Sequence, residues 1–180
     1  MAQHKIIFAG PVGAGKTTAI SVISDIPIVS TDESASDMTL VRKPNTTVAM
    51  DYGLMKLDGQ ERVHLYGTPG QERFNFMWDI LTEGGLGLVL LLDNTRVNPF
   101  KDMSFYVGAF REFIDQTRLV IGVTRMDERQ DPGLERYNAH LGTLGLKAPI
   151  FEVDARRRRD VAILVQALLY SLAPGIAADA

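Results

Sequence analysis

Short apolar runs bounded by glycine and polar clusters recur along this chain. Residues 5–9 (KIIFA), 87–92 (GLVLLL) and 119–123 (LVIGV) are apolar almost throughout. Runs this short, without alternation, predict strands buried on both faces, as in a parallel sheet covered by helices. Residues 46–57 (TTVAMDYGLMKL) and 61–66 (ERVHLY) are β-branched or alternating. Asp58-Gly59 between them predicts a hairpin turn, which makes that pair antiparallel. Residues 149–153 (PIFEV) predict the last strand.

Between these runs the period becomes helical. Residues 17–23 predict a first helix, stopped at Asp25-Ile26-Pro27. Residues 28–45 are polar with no sustained period and predict a long loop. Residues 74–81 (FNFMWDIL) predict a short amphipathic helix with exposed-looking aromatics; for Phe74, Phe76 and Trp78, core packing of some is the default and a patch for an effector or regulator the alternative. Residues 99–116 predict a single helix with Phe100, Met103, Val107, Phe110 and Ile114 along one face. Helices over 132–144 and 157–172 complete the series. The alternation predicts an α/β fold: a doubly wound, mostly parallel six-stranded sheet with one antiparallel edge strand. Ligands in such sheets sit at the carboxyl ends of the strands.

Composition narrows the class. The chain has 180 residues, 46% of them hydrophobic, which suits a single domain over 1–180 with its own core. A net charge of −3 provides no global field toward nucleic acid. The absence of cysteine excludes disulfides, thiol catalysis and prenyl or palmitoyl attachment. Met1-Ala2-Gln3 lacks the glycine needed for myristoylation. No signal peptide is visible, so the expectation is a cytoplasmic protein without a direct membrane anchor.

Residues 10–17 (GPVGAGKT) fit G-x-x-x-x-G-K-[ST], the phosphate-binding loop, between a predicted strand and a predicted helix. This assigns the P-loop NTPase fold. Backbone N–H groups of Gly13, Ala14, Gly15, Lys16, Thr17 and Thr18 would face phosphate oxygens at the positive end of the helix. Lys16 would reach the β- and γ-phosphates, and the Thr17 hydroxyl would ligate Mg²⁺.

Three further loops resemble the small GTPases of the Ras-like superfamily, over about residues 4–172, and within it the bacterial MglA-type GTPases. Thr47-Val48-Ala49-Met50-Asp51-Tyr52 resembles switch I, whose threonine ligates Mg²⁺ and meets the γ-phosphate; Thr46 is the alternative one residue earlier. Gly67-Thr68-Pro69-Gly70-Gln71-Glu72-Arg73-Phe74 resembles the D-T-A-G-Q-E-R-F of switch II. The resemblance implies that Gly70 donates its N–H to the γ-phosphate and Gln71 orients the attacking water. Gly67 stands where the family has an Asp, so a water or a carboxylate elsewhere must substitute. Thr124-Arg125-Met126-Asp127 resembles [NT]-K-x-D, in which Asp127 would accept from guanine N1–H and N2–H₂; adenine offers neither donor. Asp154-Ala155-Arg156 stands in place of S-A-K, with the Ala155 N–H toward guanine O6.

The resemblance implies a GTP-binding switch that uses Mg²⁺ and hydrolyses GTP to GDP, with switch loops at about 28–47 and 67–81. It implies catalytic roles for Gln71, Lys16 and Thr47, and metal ligation by Thr17 and Thr47. It also implies a Roadblock/LC7-type or other activating or exchange partner, an effector at the switches, and a part in bacterial polarity or motility. Arg42 and Arg73 are candidate arginine fingers in cis. Val12, in the loop beside the γ-phosphate, predicts slow hydrolysis. The alternative is a nucleotide-binding scaffold with little or no turnover. A P-loop kinase ranks last, because nothing in residues 74–150 resembles a lid. The run Arg156–Arg159 reads as solvated surface, with room for an acidic partner or anionic lipid.

Overall fold

The computed structural model describes residues 3–30, 50–69 and 76–172, with the backbone alone for 76 and 77. Seven strands form one sheet: β1 (Gln3–Ala9), β2 (Val29–Ser30), β3 (Asp51–Lys56), β4 (Arg62–Gly67), β5 (Gly87–Asp93), β6 (Leu119–Thr124) and β7 (Ile150–Glu152). Their order is β2-β3-β4-β1-β5-β6-β7. The pairs β4–β1, β1–β5, β5–β6 and β6–β7 are parallel, while β2–β3 and β3–β4 are antiparallel.

The helices are α1 (Lys16–Ile23), α2 (Phe76–Thr82), α3 (Pro99–Ala109), α4 (Arg111–Gln116), α5 (Leu134–Thr143) and α6 (Arg158–Leu172). The apolar strand runs follow from helices on both faces. In β1, Ile6 and Phe8 pack on the α1/α6 side with Ile20, Leu164 and Leu168. Ile7 and Ala9 point the other way, toward Met103, Tyr106 and Tyr137. β5 splits likewise, with Val89 and Leu91 on one side and Leu88, Leu90 and Leu92 on the other. Side chains alternate across a strand, so a strand covered twice shows no polar positions.

Four expectations change. The sheet has seven strands, because β2 lies inside the polar stretch 28–45 and its two residues are too short to carry a period. The antiparallel strand, β3, is therefore one place in from the edge. The stretch 99–116 forms two helices that meet at Phe110, whose backbone (φ −102°, ψ 13°) leaves helical geometry. Gly108, just before the break, is a poor helix former. Trp78 is buried rather than exposed, and its ring stacks on Phe110 at 4.8 Å between centroids. The hairpin turn at 58–59 extends to a 3₁₀ turn (Asp58–Gln60), in which Gly59 and Gln60 both have positive φ.

Candidate nucleotide site

The loop between β1 and α1 is shaped by close approach. Gly10 has φ +145°, and a Cβ there would lie 2.1 Å from the Leu91 carbonyl oxygen, so no side chain fits. Gly15 has φ +102°, and a Cβ there would meet the Ala155 Cβ at 2.9 Å. Glycine alone tolerates both constraints. Lys16 opens α1 and is buried, with Nζ donating to the Gly10 carbonyl at 2.5 Å and the Pro11 carbonyl at 2.9 Å. Burial pushes its ammonium down to about 8; Asp51 opposes that shift and Arg96 adds to it. A cation desolvated at the rim of a phosphate loop gains strongly from an anion placed against it. Val12 stands 60% exposed on the same loop.

The next residue reaches across to the sheet. The Thr17 hydroxyl donates to Asp51 Oδ2 at 2.5 Å. Asp51 opens β3, and the antiparallel register sets it opposite Gly67 at the end of β4. A Cβ on Gly67 would lie 3.2 Å from Asp51 Cβ and 3.4 Å from its Oδ2. The Asp51 carboxylate therefore occupies the space into which a side chain at Gly67 would project. A hydroxyl beside a carboxylate is a hard oxygen pair that suits Mg²⁺, which takes one or two protein oxygens and otherwise phosphate and water. Among the described residues no three His, Cys, Asp or Glu side chains gather to hold an ion by themselves. Thr68, which follows Gly67, is buried and anchored to the Phe8 carbonyl through its N–H at 2.9 Å and its hydroxyl at 3.3 Å.

On the other side of the loop a cleft of about 260 Å³ opens, with Ala14, Gly15 and Thr18 along one edge. Arg125, Asp127, Asp154, Ala155 and Arg156 line the rest, with Thr124 and Glu128. Three segments distant in sequence thus converge at the carboxyl ends of β1, β6 and β7. Thr124 is buried, and its hydroxyl donates to the Ala14 carbonyl at 2.9 Å and the Leu92 carbonyl at 3.2 Å, tying β6 to the loop. Arg125 adopts φ +61°, a conformation uncommon for a side chain of its size. Its guanidinium donates to the Gly13 carbonyl at 3.2 Å and lies 3.6 Å from Asp93 Oδ2. The arginine thus returns to the phosphate loop from the base-side segment.

The arginine run is mostly engaged. Arg156 forks onto Asp154, Arg157 lies 3.5 Å from the same carboxylate, and Arg158 bridges to Asp25 and the Val22 carbonyl at the end of α1. Lys16, Thr17, Thr124, Arg125, Asp127, Asp154, Ala155 and Arg156 therefore lie around one loop. Thr46, Thr47, Gly70, Gln71, Arg42, Arg73 and Phe74 lie outside the described residues. Two residues that touch the site carried no role in the sequence reading. Asp51 is a lone carboxylate within the stretch 48–55 (VAMDYGLM), which is its one visible signal. Asp93 ends the most apolar strand of the chain; it is buried and accepts from the Thr95 N–H and hydroxyl.

The glycine loop between a central strand and a helix, in a doubly wound sheet of this order, defines a P-loop NTPase fold. The chain belongs to the family described as "Conserved hypothetical ATP binding protein", whose model matches residues 26–138. It is 28% identical over 94 residues to the uncharacterized protein MJ1339 of Methanocaldococcus jannaschii, covering 52% of this chain and 53% of that one. It is 25% identical over 163 residues to human Ras-related protein Rab-8B, covering 87% of this chain and 72% of that protein. Chicken Rab-8A is 26% identical over 123 residues, 66% of this chain and 54% of its own length. The chain spans about half the length of MJ1339 and of chicken Rab-8A. These similarities support the Ras-like GTPase superfamily. Among the described residues no helix is long and apolar enough to cross a membrane.

Proposed function

We propose that this chain is a guanine-nucleotide switch that binds GTP with Mg²⁺ and hydrolyses it slowly to GDP. The observation that carries the reading is the cleft joining Ala14, Gly15 and Thr18 of the phosphate loop to Asp127 and Ala155. A base in that cleft would place its phosphates over the loop. Asp127 would accept from the guanine edge, and Thr124 and Arg125 would hold that segment against the loop. Lys16 would exchange its loop carbonyls for phosphate oxygens. Thr17 and Asp51 would hold Mg²⁺, Thr17 directly and Asp51 through water in the place left by Gly67. The ion would supply neutralisation of charge building on the phosphates. Gln71 would orient the attacking water, and Thr47 and Gly70 would meet the γ-phosphate and release after hydrolysis.

The whole of 1–180 would act as one such domain. Its likeness to MglA-type GTPases extends the proposal to a cytoplasmic polarity or motility regulator with a Roadblock/LC7-type partner and an effector at the switches. A second reading, a nucleotide-binding scaffold with little turnover, is favoured by the exposed Val12 on the phosphate loop. The test is the nucleotide content of purified protein, then competition of GTP, GDP, ATP and ADP, then Mg²⁺-dependent phosphate release. Guanine nucleotides winning, with slow release, supports the switch. Retention of GTP without release supports the scaffold, and tighter binding of ATP sinks the guanine assignment.

A further inference from the structure

The base cleft holds more acid than recognition of one base edge requires, since Asp127, Glu128 and Asp154 all line it. Arg156 organises two of them. Its Nε and one terminal nitrogen donate to the two oxygens of Asp154, each at 2.9 Å, a planar two-point fork. Its backbone N–H donates to the same carboxylate at 2.9 Å. Asp154 is held from behind as well, because its own N–H donates to Asp160 Oδ2 at 2.8 Å in the first turn of α6. The Arg156 side chain first, and then its backbone N–H, hold the Asp154 carboxyl down at about 2. The terminal nitrogen that binds Asp154 also lies 3.9 Å from Asp127 Oδ2. One guanidinium thus stands between two carboxylates that would otherwise repel.

We propose that Arg156 is a positioning residue for base recognition: tethered to Asp154, its guanidinium holds a positive charge 3.9 Å from Asp127 Oδ2 and biases the orientation in which the Asp127 carboxylate meets the base. A carboxylate has about four acceptor positions. At 3.9 Å the guanidinium takes up none of these, so all stay open to the two adjacent N–H groups of guanine, N1–H and N2–H₂. Without it, Asp127 is an exposed side chain free to rotate, and a two-donor edge loses more from rotation than a one-donor edge. Arg156 thereby sets the preference for the 2-amino group. This rests on the reading of Asp127 as the guanine acceptor.

The experiment compares GDP, IDP and ADP binding to the full chain, stripped of nucleotide and supplied with Mg²⁺. IDP keeps N1–H and lacks the 2-amino group. The native chain is expected to prefer GDP over IDP by roughly tenfold, the value of about one well-placed hydrogen bond. In Arg156→Ala, GDP affinity falls about fivefold and IDP affinity less than twofold, so the ratio contracts. Asp154→Asn contracts it in the same direction. Arg156→Lys restores it in part, because the charge remains and the fork is lost. Arg158→Ala breaks a contact of the same helix end with Asp25, away from the cleft, and leaves the ratio unchanged. An unchanged GDP/IDP ratio in Arg156→Ala, or tighter GDP binding, overturns the proposal while the guanine reading stands. A native chain that binds ADP as tightly as GDP overturns both.

Discussion

Exchanging the carboxylate between strands tests the proposed Mg²⁺ corner. Asp51 and Gly67 face each other in the β3–β4 register, and of the two Asp51 carries the carboxylate. In Gly67→Asp the new Cβ lies 3.0 Å from Ile20 Cδ1 and 3.2 Å from Asp51 Cβ. Crowding of that kind costs ~1–3 kcal/mol. Two carboxylates about 4 Å apart add ~1 kcal/mol in water and ~4 kcal/mol at a protein-like dielectric; for this half-buried pair ~2 kcal/mol is reasonable. The single variant should therefore lose roughly 3–5 kcal/mol of stability. Asp51→Ala should shift the Mg²⁺ requirement for nucleotide retention about 10–100-fold, as expected when a carboxylate supporting a metal is removed. The double variant removes the repulsion and returns a carboxylate to the corner. It should be more stable than the sum of the singles by ~2 kcal/mol and recover part of the Mg²⁺ affinity. Urea unfolding of nucleotide-free protein measures the first quantity, and Mg²⁺-buffered release of a fluorescent GDP measures the second. Additive stabilities within ~0.5 kcal/mol, or an Mg²⁺ midpoint in Asp51→Ala within about twofold of native, would refute the exchange.

Three further outcomes follow from individual contacts. A Cβ at Gly122 would meet Leu164, Leu91 and Val153 at 2.9 Å each, so Gly122→Ala should cost ~1–3 kcal/mol and lower Tm by about 5 °C; an unchanged Tm contradicts this. Burial raises the Tyr137 hydroxyl, which donates to Asn94 at 2.6 Å, so above about pH 10 the unfolded chain ionises first. Native stability should then fall by up to ~1.4 kcal/mol per pH unit, and Tyr137→Phe should remove that share of the slope; equal slopes refute it. Val12→Gly should raise single-turnover GTP hydrolysis about tenfold, ~1.4 kcal/mol in the barrier, if the exposed branched side chain crowds Gln71 or an incoming arginine; an unchanged rate removes the crowding argument.

What could be read in advance was local. β1, β5 and β6 appear as unbroken apolar runs because both sheet faces are covered, and the helices between them follow from the change of period. The glycine loop was legible because its chemistry sits in eight consecutive residues. That Trp78 is an aromatic that packs is not legible, because its partners Phe105, Tyr106 and Phe110 are some thirty residues away, and a seven-residue helix has too little sequence to show which face is buried. The break at Phe110 was invisible because the apolar stripe continues through it to Ile114, while the backbone does not.

The departures from the GTPase pattern follow the same logic. Gly67 lacks a carboxylate, and Asp51 supplies one from the neighbouring strand only because the hairpin register sets the two opposite each other. Arg125 is longer and flatter than the usual lysine, yet a positive φ and the buried Asp93 behind it direct its head to the Gly13 carbonyl. Asp154 adds a negative charge to the base cleft, and Arg156, two residues on, neutralises it and faces Asp127. In each case the unusual residue has its counterpart in space, and two of the three counterparts are distant in sequence. A motif comparison counts three defects, whereas the assembled corner presents a cation at the loop, a carboxylate beside Thr17 and a tethered acceptor at the base. Charge at a location, rather than residue type at a position, is what nucleotide binding requires. The departures therefore weigh less against binding than their number suggests. In the proposed switch, hydrolysis would rest on Gln71 and Val12 at the γ-phosphate, which none of these compensations touches.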